Sequence, residues 1–289
     1  MASTLDTTWH LPAPAKLNLF LHITGVRDDG YHNLQTIFQL LDYSDEVTLK
    51  RRPDGVVNRV EGLASVEPED DLIVKAARAL QAYTGTQYGA DLGVRKVLPI
   101  GGGIGGGSSD AATTLLGLNQ LWECNLPEQE LLSIARTLGA DVPVFVKGVS
   151  AWAEGIGEDL TPLALPEKWY VVIHPNVFIS TTKLFSSKLL TRNRTVLRMR
   201  IFPTADNENV FESVVRKEYP EVEDSLKWLS KFSTARMTGT GSCIFASFES
   251  KQQAVAVMQQ VPRKWVAFVA KAVNNSPLLE ALKLNAERN

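Results

Sequence analysis

The sequence predicts an α+β fold in two units, and three observations lead to that expectation. Strand-like and helix-like segments are mixed along the chain, and hairpin signals between strands disfavour a simple doubly wound sheet. The 289 residues suffice for one large domain or two ordinary ones. At 44% hydrophobic and 21% charged residues, the composition is that of a globular protein with a sizeable core.

The first strand is expected over residues 16–24, where Leu17, Leu19, Leu21 and Ile23 alternate onto one face. Lys16, Asn18 and His22 share the other face, with Phe20 as an apolar exception. Arg27-Asp28-Asp29-Gly30 signals a turn. A second strand over 46–50 ends near Arg51-Arg52-Pro53-Asp54-Gly55, which reads as a hairpin loop. Residues 72–83, rich in alanine and leucine, predict a helix, and 92–98 a strand that enters a glycine run. Beyond the run, Ala111, Leu115, Leu118 and Trp122 recur at helical spacing. The next helix opens near Pro127, carries Glu128 and Glu130 in its first turn and closes at Gly139. Ala140-Asp141-Val142-Pro143 then reads as a short loop entering an apolar strand.

A second unit is expected to begin between residues 155 and 162, so the chain divides into 1–155 and 156–289. Its elements are a buried strand at 169–173, a helix at 221–229, a strand at 242–248 after a glycine turn, and a helix at 252–260.

Charge and cysteine content narrow the function classes. A formal net charge of -2 gives no general attraction to nucleic acid or anionic membrane. Cys124 and Cys243 stand far apart with no CxxC or Cys/His spacing, so a disulfide framework or zinc site is not expected and a reducing cytoplasm is. The polar start lacks a basic region followed by an apolar core, and the apolar stretch from Leu17 to Gly25 is too short to span a bilayer. No Asp, Glu and His cluster has metal-ligand spacing.

The glycine run is the chemically distinctive segment. Pro99-Ile-Gly-Gly-Gly-Ile-Gly-Gly-Gly-Ser-Ser-Asp joins an expected strand to an expected helix. Glycines without Cβ atoms let backbone N–H groups approach an anion closely. Ser108, Ser109 and Asp110 mark the expected helix start, where unpaired donors and partial positive charge favour phosphate. A flexible turn with a good N-cap is the alternative. Gly101, Gly103 and Gly106 satisfy G-x-G-x-x-G literally, yet no acidic residue follows about 20 residues on. A Walker A loop needs lysine where Gly107 stands.

Pro99 through Ala112 resembles the second motif of the GHMP kinase superfamily, P-x-x-x-G-x-G-x-S-S-x-A-A, with Gly107 inserted before the serines. Four further segments extend the likeness in order, from Pro14 to about Pro277: Pro14-Ala-Lys-Leu-Asn-Leu-Phe-Leu, Asp29-Gly-Tyr-His, Leu138-Gly-Ala-Asp-Val-Pro-Val-Phe and Thr238-Gly-Thr-Gly-Ser-Cys. Together they resemble the branch whose acceptor is a cytidine diphosphate-linked sugar alcohol of the non-mevalonate isoprenoid route. The Gly-Tyr-His segment and the triple-glycine loop argue against homoserine or mevalonate as acceptor, and Lys16 with Asp141 argues against a non-catalytic sensor.

The resemblance implies a two-domain fold. Its N-terminal part is a ribosomal-protein-S5-domain-2-like ATP-binding domain, and its C-terminal part a ferredoxin-like substrate domain. It implies transfer of the ATP γ-phosphoryl group, with Mg²⁺ arriving on ATP, by a monomer or weak homodimer. Lys16, by itself readable as a solvated strand lysine, falls in the family's active-site lysine position. Asp141, by itself a turn residue, falls at the base for the acceptor hydroxyl. Leu72, Lys96, Pro99, Gly101, Gly102, Gly103, Gly105, Gly106, Gly107, Ser108 and Ser109 fall on the ATP side. Asn18, Tyr31, His32, Phe185 and Thr240 fall on the substrate side, with Tyr31 and Phe185 closing over cytosine and His32 hydrogen-bonding it. Two positions depart from the pattern: Asp71 stands where asparagine is usual, and Thr182 where proline is common. Arginines at 192, 194, 198 and 200 read either as steering charges for an anionic substrate or as a solvated face.

Overall fold

The computed structural model describes residues 8–199 and 208–287. Its frame is a pair of long antiparallel strands, β1 (Thr8–Val26) and β2 (His32–Arg52). The expected first strand is thus the middle of a much longer one. Its polar face is not solvated: residues 13–23 are all buried, because apolar cores lie against both faces. Register shifts after Pro14, Asn18 and Ile23 bend β1 and re-aim its side chains.

The chain then turns through Pro53 and Asp54 into β3 (Val57–Arg59), followed by a 3-10 turn, α1 (Leu72–Thr84) and β4 (Gly89–Arg95). The expected hairpin is not formed. β4 inserts between β2 and β3, pairing antiparallel with the first and parallel with the second. A turn signal reports the reversal but not which later strand fills the gap.

β4 also stops earlier than expected. Asp45, buried on β2, accepts the N–H groups of Val97 and Leu98, the latter at 2.8 Å. These amides therefore leave the ladder and lead the chain into the glycine run. The following helix, α2 (Gly106–Leu121), begins inside that run rather than at Ser108 to Asp110. Gly105 is its left-handed N-cap, with no side-chain cap.

α3 (Glu128–Leu138) ends at Gly139, whose backbone is extended rather than left-handed. The apolar run after Asp141 forms a short helix, α4 (Val142–Lys147), not the expected strand. Pro143 has no N–H to give and fits a helix first turn, and a helix apolar all round is tolerated because Val142 to Val146 are all buried.

The remaining elements are β5 (Ala151–Glu154), β6 (Asp159–Pro162), β7 (Trp169–His174), α5 (Thr181–Phe185), α6 (Glu212–Glu218), α7 (Pro220–Leu229), β8 (Ala235–Met237), β9 (Ile244–Phe248), α8 (Lys251–Met258), β10 (Val266–Val273) and α9 (Pro277–Ala286). The sheet runs β3-β4-β2-β10-β7-β9-β8, with β1 and β5 also on β2. One apolar cluster gathers α1 to α4 against β1, β2 and β4, and a second gathers α6 to α8 around β7 and β9. A third contains Leu17, Ile37 and Trp152. Leu278 and Leu282 of α9 return to the first cluster. The 155/156 division is a proposal about folding units, since sheet hydrogen bonds cross it from β5 to β6 and from β2 to β10.

Asp45 ties β2, the loop and Lys96 together from a fully buried position. Replacing it leaves two amides without their acceptor and the Lys96 ammonium with one carboxylate instead of two. Asp45→Ala is expected to lower the unfolding free energy by about 3–5 kcal/mol, read from the urea midpoint.

Candidate active site

Lys16 follows the first register shift of β1 and is only 2% exposed. A buried ammonium must be paired and hydrogen-bonded. Its nitrogen meets Asn18 Oδ1 at 2.7 Å, the Gly103 carbonyl at 3.3 Å and Asp141 Oδ2 at 3.1 Å. Asn18 lies two residues along the same strand, hence on the same side. It is oriented in turn: its Nδ2 donates to Thr36 Oγ1 and its backbone N–H to Thr238 Oγ1, each at 2.9 Å. Asp141, at the N-cap of α4, keeps its side chain about a third exposed, so its carboxylate is far more open than the lysine.

The glycine run brings its backbone against a second loop. A Cβ at Gly103 would stand 2.4 Å from the Thr238 carbonyl oxygen, and one at Gly239 would stand 2.8 Å from that of Gly103. Gly103 and Gly105 also have φ of 75° and 76°, where side chains are strained. The uncapped first turn of α2 leaves backbone donors at its start.

A cavity of about 390 Å³ follows this run, lined by Leu72, Lys96, Pro99, Gly101 to Gly107, Ser108 and Asp110 among others. Every residue expected on the ATP side borders it except Ser109, which is fully buried on the inward side of α2. Asp71, the departure from the family pattern, caps α1 by accepting from the Ile73 N–H at 3.2 Å and pairs with Arg59 at 2.9 Å.

Lys96 is held between two carboxylates, with Asp110 Oδ2 at 2.6 Å and Asp45 Oδ2 in contact. Burial lowers the Lys96 pKa, but the two aspartates outweigh it and raise the ammonium above its ordinary value. Burial pushes the Asp110 carboxyl up to about 7, against the pull of Lys96 and with the push of Asp45. Neither aspartate stands out as a site residue in the sequence. Asp110 reads there as a helix-start residue, and Asp45 gives no local signal.

A larger cavity of about 810 Å³ lies on the other side of Gly103. It is lined by Lys16, Asn18 and Asp141 and by all the remaining residues expected on the substrate side: Tyr31, His32, Phe185 and Thr240. Thr182 borders it too, and Thr240 Oγ1 lies 3.0 Å from Thr181 Oγ1. Tyr31 is 61% exposed at the rim. Phe185 packs against His32, with ring centroids 5.0 Å apart and planes tilted 43°. Burial, then the nearby Arg192 charge, lowers the His32 pKa.

Two of the four arginines have structural partners. Arg192 is bound to His32 and to backbone carbonyls, Arg194 pairs with Glu208, and Arg200 lies outside the described residues.

The two cavities share Gly103 and Ser108. A phosphate ligand along the glycine run and a hydroxyl compound in the larger cavity would therefore meet beside Lys16 and Asp141. That is the arrangement of a group-transfer site in which positioning and charge carry the chemistry.

Comparison with known proteins shows the family of the chain. The profile of the GHMP kinases N terminal domain matches residues 71–149, and that of the GHMP kinases C terminal matches residues 197–267. A 4-diphosphocytidyl-2-C-methyl-D-erythritol kinase of Cupriavidus metallidurans is 52% identical over 273 residues, covering 92% of this chain and 94% of that protein. The protein of the same name from Hahella chejuensis is 50% identical over 289 residues, covering 96% and 98%. A crystal structure of 4-(cytidine 5'-diphospho)-2C-methyl-D-erythritol kinase matches with a TM-score of 0.81 at 29% identity, over 91% of this chain and 98% of that one.

The raised Asp110 carboxyl has a consequence for stability. Its unfolded value is about 3.9, so between that pH and about 7 the native state holds the proton more tightly than the unfolded chain. Stability from this group is therefore present at low pH and lost as pH rises through about 7. Asp110→Asn should flatten the fall of the melting temperature between about pH 4 and about pH 7. An unchanged slope in differential scanning calorimetry would rule this out.

Proposed function

The chain belongs to the GHMP kinases, and from that premise we propose that it transfers the γ-phosphoryl group of ATP to the 2-hydroxyl of 4-diphosphocytidyl-2-C-methyl-D-erythritol, giving the 2-phosphate and ADP, in the non-mevalonate route to isopentenyl diphosphate. It is an ATP-dependent small-molecule kinase. The observation that carries the assignment of roles is the meeting of the two cavities at Gly103 and Ser108, beside the Lys16–Asp141 ion pair.

In this reading the smaller cavity takes the nucleotide. The glycine run and the first turn of α2 hold its phosphates with backbone donors, which needs no Walker lysine. The larger cavity takes the cytidyl substrate, its base among Tyr31, His32 and Phe185 and its reacting hydroxyl near Asp141. Asp141 accepts the hydroxyl proton as the oxygen attacks the γ-phosphorus and the bond to ADP breaks. Lys16 holds Asp141 in place and balances charge on the transferred group. Because the transition state is loose, placement of the reacting ends outweighs basicity.

Among the described residues no group of three or more His, Cys, Asp or Glu side chains is arranged to hold a metal. Mg²⁺ in this scheme would come with ATP, held chiefly by its phosphates and water, and would supply charge neutralisation. Action as a monomer or weak homodimer is part of the same proposal. The unpaired Cys124 and Cys243 support a reducing, cytoplasmic setting. Among the described residues no helix is long and apolar enough to cross a membrane.

A coupled ADP-release assay with the cytidyl substrate, mevalonate and homoserine in parallel tests the reading. ADP is expected with the cytidyl compound alone. Preference for an acceptor without cytidine would overturn the substrate, and no ADP with any acceptor would overturn the activity.

A further inference from the structure

Arg192 lies in the loop after α5, and each of its three guanidinium nitrogens donates to an acceptor. Nη2 donates to the carbonyls of Phe185 at 2.7 Å and Ser187 at 2.8 Å, and Nη1 to that of Leu190 at 3.2 Å. Nε donates to His32 Nε2 at 3.2 Å. A guanidinium has only donors and does not lose its proton in proteins. The nitrogen facing it must therefore offer a lone pair. In a neutral imidazole whose Nε2 accepts, the proton sits on Nδ1. No acceptor among the described residues takes that proton, and the ring lines the larger cavity against Phe185. Burial and the Arg192 charge both disfavour the imidazolium, which would in any case set a second donor against Arg192 Nε.

We infer that Arg192 is a positioning residue that locks His32 in the Nδ1–H tautomer, so that the ring offers a donor to the bound base and thereby selects cytosine over uracil. This rests on the reading of the larger cavity as the cytidine site. The two bases differ in the way this device would detect. Cytosine carries lone pairs at both O2 and N3, whereas uracil carries a hydrogen on N3. A fixed Nδ1–H can donate to cytosine N3 but opposes the uracil N3–H. With the other tautomer, the Nδ1 lone pair would accept from uracil instead. A polar group left facing a mismatched partner discriminates more strongly than shape alone. The same guanidinium binds the Phe185 carbonyl, so one residue fixes both the ring that donates and the ring beside it.

The test combines nitrogen-15 NMR of histidine-labelled, ligand-free protein with kcat/KM for the cytidine substrate and its uridine counterpart. In the wild type, His32 Nε2 should resonate as an unprotonated nitrogen and Nδ1 as a protonated one. Arg192→Leu should lose that preference and lower the cytidine-over-uridine ratio about ten-fold, while Arg192→Lys, which keeps a donor, recovers part of both. A protonated Nε2 in a wild type that is active and cytidine-selective would overturn the assignment to Arg192 alone. So would a selectivity ratio that stays constant after the tautomer has shifted. A wild type inactive on both substrates would instead overturn the kinase reading and the base selectivity with it.

Discussion

A lysine ammonium with almost no access to water sets the geometry on which the rest of the site depends. Lys16 is buried in β1, and its three nearest acceptors come from three parts of the chain: its own strand, the glycine run and the residue before α4. Losing any one leaves a buried charge short of a partner, at a cost of several kcal/mol. The need to satisfy one cation therefore fixes Asn18, Gly103 and Asp141 relative to each other. The boundary between the two cavities is then placed where Lys16 sits.

The same requirement accounts for the glycines. To bring the Gly103 carbonyl to Lys16, the run must pass against the loop after β8, and there backbone meets backbone with no room for a Cβ at Gly103 or Gly239. Behind the run, Asp45 removes two amides from the β4 ladder and, with Asp110, holds Lys96. The loop is thus held from in front by Lys16 and from behind by a buried carboxylate. That preorganises backbone donors without a lysine inside the loop itself.

What the sequence discloses follows the range of the interactions involved. The helix expected over 72–83 is α1 (Leu72–Thr84), and the strand expected over 169–173 is β7 (Trp169–His174), because periodicity and apolar runs are local signals. The glycine run stands out in the sequence for the same reason. By contrast, the all-apolar stretch of α4 has no period to separate helix from strand, and the split of β2 and β3 by β4 depends on a strand some thirty residues away. Asp45 and Arg192 act across 51 and 160 residues of chain, so nothing near them announces a partner. Lys16 and Asp141 read as surface residues from local pattern. Only the likeness of ordered motifs singles them out, and the structure brings them to 3.1 Å.

The account holds that Lys16 and Asp141 act as one unit at the junction of the cavities. A double-mutant cycle on kcat, with Lys16→Met, Asp141→Asn and the double variant each checked for folding by circular dichroism, tests this directly. The double variant should be no more than about three-fold slower than the slower single variant, as for groups that work together. Losses that multiply across the two substitutions would show independent action and contradict the account.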